Sequence, residues 1–140
     1  MYFRSSEVLT HRAVLKMLEA AAEAATQMGQ PQCIVIVDAS GETLAQLRMD
    51  GAKYLSLKSA LAKARTAASI RAPSDTIPEA VGAPIAAATQ GQVTRLGGGL
   101  AIFHNGHALG GIGVGSGSAD QDKEVARAAL AAINASETPG

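Results

Sequence analysis

Residues 100–130 read LAIFHNGHALGGIGVGSGSADQDKEVARAAL, and the fold turns on how this stretch divides. Asn105-Gly106 stands between two apolar runs. Both central residues of a type I′ turn need positive φ, which Asn and Gly tolerate, so the pair predicts a tight antiparallel hairpin. Glycines crowd the end of its second strand. A helical pattern then starts near Asp120 and runs to Ile133, with Val125, Ala129, Leu130 and Ile133 turned inward. The tail ASETPG, residues 135–140, is expected to fray.

Upstream lies a second hairpin. Residues 33–37, CIVIV, are apolar on both alternating faces, as in a strand covered above and below. Asp38-Ala39-Ser40-Gly41 makes the turn. In the strand that follows, Leu44, Gln46, Arg48 and Asp50 face one way and Thr43, Ala45, Leu47 and Met49 the other. Before this hairpin, Val14, Leu15, Leu18 and Ala22 repeat at helical spacing; Thr10 can cap that helix, and Gly29 with Pro31 ends it. After it, KYLSLKSALAKARTAASI places Leu57, Leu61, Ala64 and Ala68 on one helical face and Ser56, Ser59, Lys63 and Thr66 on a second stripe. Residues 71–92, with Pro73, Pro78 and Pro84, read as a long connection with a short helix near Ser74 or Asp75. The order α-β-β-α-connection-β-β-α predicts one α/β (α+β) domain over residues 1–140, with its core between about 9 and 134. In it, helices pack on both faces of an antiparallel sheet.

Composition narrows the function. Twelve basic and twelve acidic residues cancel, and no basic run stands out, which argues against nucleic acid as a partner. The single cysteine, Cys33, allows no intrachain disulfide or Cys-based zinc site and reads as a small core residue. No long apolar segment or leader-like h-region occurs, so no membrane partner and a cytoplasmic location are expected. The glycine-rich strand end could suggest a nucleotide site, but the spacing fails. Counted from Gly111 the sixth position of the motif is Ser116, and from Gly113 it is Ser118, where G-x-G-x-x-G needs glycine; Asp120 and Asp122 would repel a phosphate. No nucleotide cofactor and no metal site are expected.

Three blocks occur in order: VDASGETLAQLRMDGA, then KARTAAS, then GGG followed by GHALGGIGVGSGSADQDKEVARAAL. Together they resemble the GlcG/HbpS-like family, haem-binding or haem-degrading domains that also form the C-terminal part of PduO-type cobalamin adenosyltransferases. The resemblance runs from about Leu9 to Ile133. It implies a profilin-like fold with a five-stranded antiparallel sheet, the fifth strand lying within residues 85–96. It also implies homo-oligomers, dimeric or larger, and noncovalent haem binding. Two departures fall in loops that would surround a ligand. Leu96 stands where the family has proline, and the family's G-V-S-G-G appears as Gly113-Val114-Gly115-Ser116-Gly117.

Within that frame, Arg48 and Asp50 emerge together at a strand end. The Arg48 guanidinium suits a carboxylate or a haem propionate, or else an ion pair with Asp50. Lys63 reads as an anion-binding or subunit-contact residue, with a Ser59–Lys63 nucleophile pair as the catalytic alternative. His11 is the candidate haem ligand; His104 and His107 flank the hairpin turn. Gly98, Gly99, Gly111 and Gly113 would let a flat ligand approach the backbone closely. Two other functions fit the same residues: an enzyme that hydrolyses or isomerises an organic acid, and an assembly module with no ligand of its own.

Overall fold

The computed structural model describes all 140 residues. The elements run α1 (His11–Gln27), β1 (Cys33–Asp38), β2 (Thr43–Arg48), α2 (Ser56–Ile70), a 3₁₀ turn (Ser74–Thr76), α3 (Glu79–Ala88), β3 (Gly99–His104), β4 (His107–Gly115) and α4 (Ala119–Ala132). All strand pairs are antiparallel, in the order β2-β1-β4-β3. The two hairpins are those expected. Asn105 (φ 50°) and Gly106 (φ 77°) both take positive φ, as the type I′ turn requires.

The sheet has four strands, which corrects the expectation of five. Residues 85–96 supply no strand: Ile85 to Ala88 end α3, and Gln90 (φ 55°) and Gly91 (φ 79°) turn the chain in the left-handed region. The run AVGAPIAAA lacks the β-branched alternation of a strand, and alanine favours helix. The outer edge of β3 instead makes one isolated bridge, Phe103 to Ser136, which also ties down the tail expected to fray.

Helices cover both faces. On one, α1 and α4 pack Val14, Met17, Ala21, Val125, Ala129 and Leu130 against Ile34, Ile36, Leu100, Ile102, Ile112 and Val114. Leu15 is 62% exposed, so the inner stripe of α1 is Val14, Met17, Ala21 and Ala25. On the other face, Ala60, Ala64 and Ala68 of α2 meet Cys33, Val35 and Val37 of β1. Beside them α2 crosses β4 at its glycines. A Cβ on Gly111 would run into the Ala64 carbonyl oxygen, and one on Gly113 into that of Ala60 and to 2.6 Å from the Ala64 nitrogen. Strand and helix therefore meet backbone to backbone, and the alternating glycines are the condition for that approach.

Candidate functional site

The strand directions bring the chemistry-bearing residues to two opposite ends of the sheet. At one end β1 and β3 begin, β2 and β4 finish, and α2 and α4 start. At the other end lie the two hairpin turns and the segment leading into α1.

At the strand-end pole, Lys63 projects from α2 with its side chain only 6% exposed. Its Nζ donates to the Val114 carbonyl oxygen at 2.8 Å and to Asp122 Oδ2 at 3.1 Å. Asp122 is equally buried, and its Oδ1 accepts from the Gly117 N–H at 3.1 Å. Burial pushes the Asp122 carboxyl above its ordinary 3.8; the Lys63 ammonium, the Gly117 N–H and the Gln32 amide oppose that rise. The Gln32 amide is fully buried, and neither its nitrogen nor its oxygen closes a hydrogen bond of regular geometry. Gly98 (φ 117°) passes over this pair: a Cβ there would lie 2.7 Å from the Val114 oxygen, 2.9 Å from Asp122 Cβ and 3.2 Å from Lys63 Nζ. Gly99 donates its N–H to Ser74 Oγ at 3.0 Å and lies against the Lys63 backbone. A shallow cleft of about 300 Å³ opens above, bordered by Lys53, Ser56, Ser59, Lys63, Leu96, Gly97, Ser116 and Gly117.

Arg48 and Asp50 border a neighbouring hollow of about 530 Å³ with Ala25, Thr26, Gln30, Pro31 and Met49. They belong to none of the ion pairs, which are Lys63–Asp122, Glu7–His104, Asp75–Lys123 and Arg127–Glu137. The two hollows are divided by Ser116, which accepts from Gln30 Nε2 on its carbonyl (3.2 Å) and from the Lys53 N–H on its hydroxyl (3.1 Å). Cys33 lies beneath, and burial raises its thiol above the ordinary 9.0, against the pull of Ser116 and Arg48.

The candidate residues read from sequence are thus divided between separate places in the fold. Arg48 and Asp50 share one hollow and Lys63 borders another, while Gly98 and Gly99 line neither and pack against the Lys63–Asp122 pair and the Lys63 backbone. Gly111 and Gly113 line neither, because α2 seals them from any ligand, which corrects their reading as a pocket wall. Sequence reasoning took Asp122 only as a charge that would repel a phosphate. Its spacing from Lys63 spans 59 residues, so no local pattern exposes the pair.

His11 lies at the opposite pole. It opens α1, whose far end, Ala25 and Thr26, borders the Arg48 hollow; at about 1.5 Å per residue the helix keeps them roughly 20 Å apart. Here a cavity of about 550 Å³ is lined by Val8, Leu9, Leu44, Ala108 and Leu109 together with Arg4, Glu7, Asp38, Arg71 and His107. Glu7 Oε1 pairs with His104 Nδ1 at 2.9 Å across one side of the same pole. Arg4, Leu44 and Arg71 were not singled out from sequence, because three separate segments deliver them. His107 is exposed at the turn, and His11 stands two residues beyond Leu9 on the first turn of α1.

The family model for the haem-degrading HbpS-like proteins matches residues 9–131. The corrinoid adenosyltransferase PduO of Salmonella typhimurium is 36% identical over 124 residues; the match covers 85% of this chain and 37% of PduO, so the chain spans little more than a third of that relative's length. A crystal structure of a PduOC:haem complex superposes with a TM-score of 0.87 at 31% identity, covering 94% of this chain and 99% of the other. HbpS of Streptomyces reticuli, in a double-mutant crystal structure, gives a TM-score of 0.83 at 35% identity over 94% and 90% of the two chains.

Proposed function

The chain belongs to the HbpS-like family of haem-degrading proteins, and from that premise we propose that it binds haem noncovalently in the cavity at the turn pole. The observation that carries the proposal is the make-up of that cavity. Leu9, Leu44 and Leu109 offer an apolar wall, Arg4 and Arg71 offer guanidinium groups for two propionates, and His107 offers an imidazole. A volume of about 550 Å³ lies in the usual range for small-molecule sites, roughly 300–1,000 Å³. The residues present therefore fit the group. Bound haem would supply an iron centre able to bind small diatomic ligands and to change oxidation state. His11, at the start of α1, and His104, paired with Glu7, are two further imidazoles at the same pole. The PduOC:haem complex among the similar structures supports the same reading.

Hemin titration is expected to give a saturable Soret shift. His107→Ala or His11→Ala, whichever residue ligates iron, removes the shift, and Arg71→Ala weakens binding by about tenfold, as loss of one charge-assisted hydrogen bond would. A spectrum identical to free hemin at micromolar protein would defeat the proposal. Arg48→Ala, at the other pole, leaves the titration unchanged.

Self-association completes the reading. Helix α3 carries one charged residue, Glu79, buries no side chain and packs on no other helix or strand. Val81 is 43% and the nearby Leu96 56% exposed. Ten residues are too few for a stable lone helix in water, so a second copy covering α3 would account for its apolar surface. Light scattering after gel filtration is expected to give a multiple of 14.2 kDa, and Val81→Glu is expected to lower it; a monomer at all concentrations would exclude this.

A further inference from the structure

We propose that the Lys63 cleft is a second, separate ligand site that takes a small monocarboxylate. Nζ of Lys63 carries three N–H groups. Val114 and Asp122 take two, and the third has no protein acceptor although the side chain is 94% buried by the complement of its 6% exposure. A buried ammonium with one donor unused is costly, and a ligand oxygen at the cleft floor would satisfy it. The Ser56 hydroxyl, which makes no hydrogen bond to protein, and the Lys53 side chain stand on the same rim.

Charge selects the ligand class. Two lysines and one aspartate line the cleft, Lys53 and Lys63 against Asp122, leaving one net positive charge. That matches a single negative charge. A phosphate dianion would meet Asp122 in the floor and Asp120 in the first turn of α4. A volume of about 300 Å³, with only Leu96 and Ala119 as apolar contacts, limits the ligand to a short chain. The site rests on none of the residues assigned to haem, so either assignment stands or falls alone.

The test is a titration of ¹⁵N-labelled protein with acetate, and separately butyrate, at constant ionic strength. Saturable amide shifts are expected at Lys53, Ser56, Lys63, Gly97, Gly117 and Ala119. Ser56→Ala and Lys53→Gln each weaken them by about tenfold, the scale of one hydrogen bond to a charged group. Both substitutions are at sites outside the core, so the fold is expected to survive them. Absence of saturable shifts at millimolar carboxylate overturns the proposal. Equal or tighter binding of inorganic phosphate at the same amides overturns the assignment to a monocarboxylate. Shifts that persist undiminished in both variants place the ligand elsewhere and overturn it too.

Discussion

Gly113→Ala is expected to be among the most damaging single-methyl changes this protein can suffer. The added Cβ falls on the Ala60 carbonyl oxygen and 2.6 Å from the Ala64 nitrogen, both main-chain atoms in the middle of α2. No rotamer change relieves such a clash; the helix must move off the sheet. Overpacking usually costs about 1–3 kcal/mol, and a displaced helix backbone belongs at or beyond the top of that range. Against a total of about 5–15 kcal/mol for a domain, this is a large share. Urea unfolding followed by circular dichroism should show the midpoint fall sharply. Gly82→Ala is the comparison. That glycine lies in α3, and its added methyl would meet the flexible Arg95 side chain at 3.1 Å. In a helix the change gains about 0.5–1 kcal/mol, so it should be neutral or mildly stabilising. Equal losses at both positions would mean that the close approach of β4 and α2 is not what the glycine serves.

The second large effect concerns the buried ion pair. Asp122→Ala strands the Lys63 ammonium with only the Val114 carbonyl for company. Removing one partner of a buried pair costs about 3–5 kcal/mol, whereas replacing both with apolar residues of like size is often neutral. Lys63→Met and Asp122→Ala should each destabilise strongly, and Lys63→Met with Asp122→Leu should recover most of the loss. A double no better than the singles would show that shape, not charge, is what the site needs. The pH dependence has a definite sign. A carboxyl whose folded-state pKa lies above its unfolded value binds its proton more readily when folded, so the Asp122 contribution is most favourable below 3.8 and declines as pH rises through the interval above it. The Asp122→Leu/Lys63→Met chain should lack that component of the stability profile.

Much of this architecture is legible in the residues. Asn105-Gly106 and Asp38 to Gly41 each mark a tight turn, Thr10 accepts the Ala13 N–H as a cap should, and the doubly apolar CIVIV does lie between two layers of helices. The sheet size was not legible from such local signals. A fifth strand was expected from the family likeness, but Pro84 and the alanines around it build a helix. The candidate site was legible in part. Arg48 and Asp50 do share a hollow, but Leu47 and Met49 line it too, so it is the strand end as a whole and not one alternating face that borders it. Lys63 looked like one more polar residue on a helix stripe; only the arrival of α4 from 59 residues away buries it. The glycines were visible as places of close approach, yet nothing local says whether a ligand or a helix does the approaching. Distance along α1 separates His11 from Arg48, which a reading of residue types alone could not supply.

Strand β4 reaches from His107 at one pole to Gly115 at the other, and for much of that length main chain rests on main chain of α2. A joint without intervening side chains has no soft parts to yield, since close-packed interiors compress little. Strand and helix behave as a single beam, and whatever tilts one extremity must carry the other along with it. The beam thereby sets the separation of the two poles.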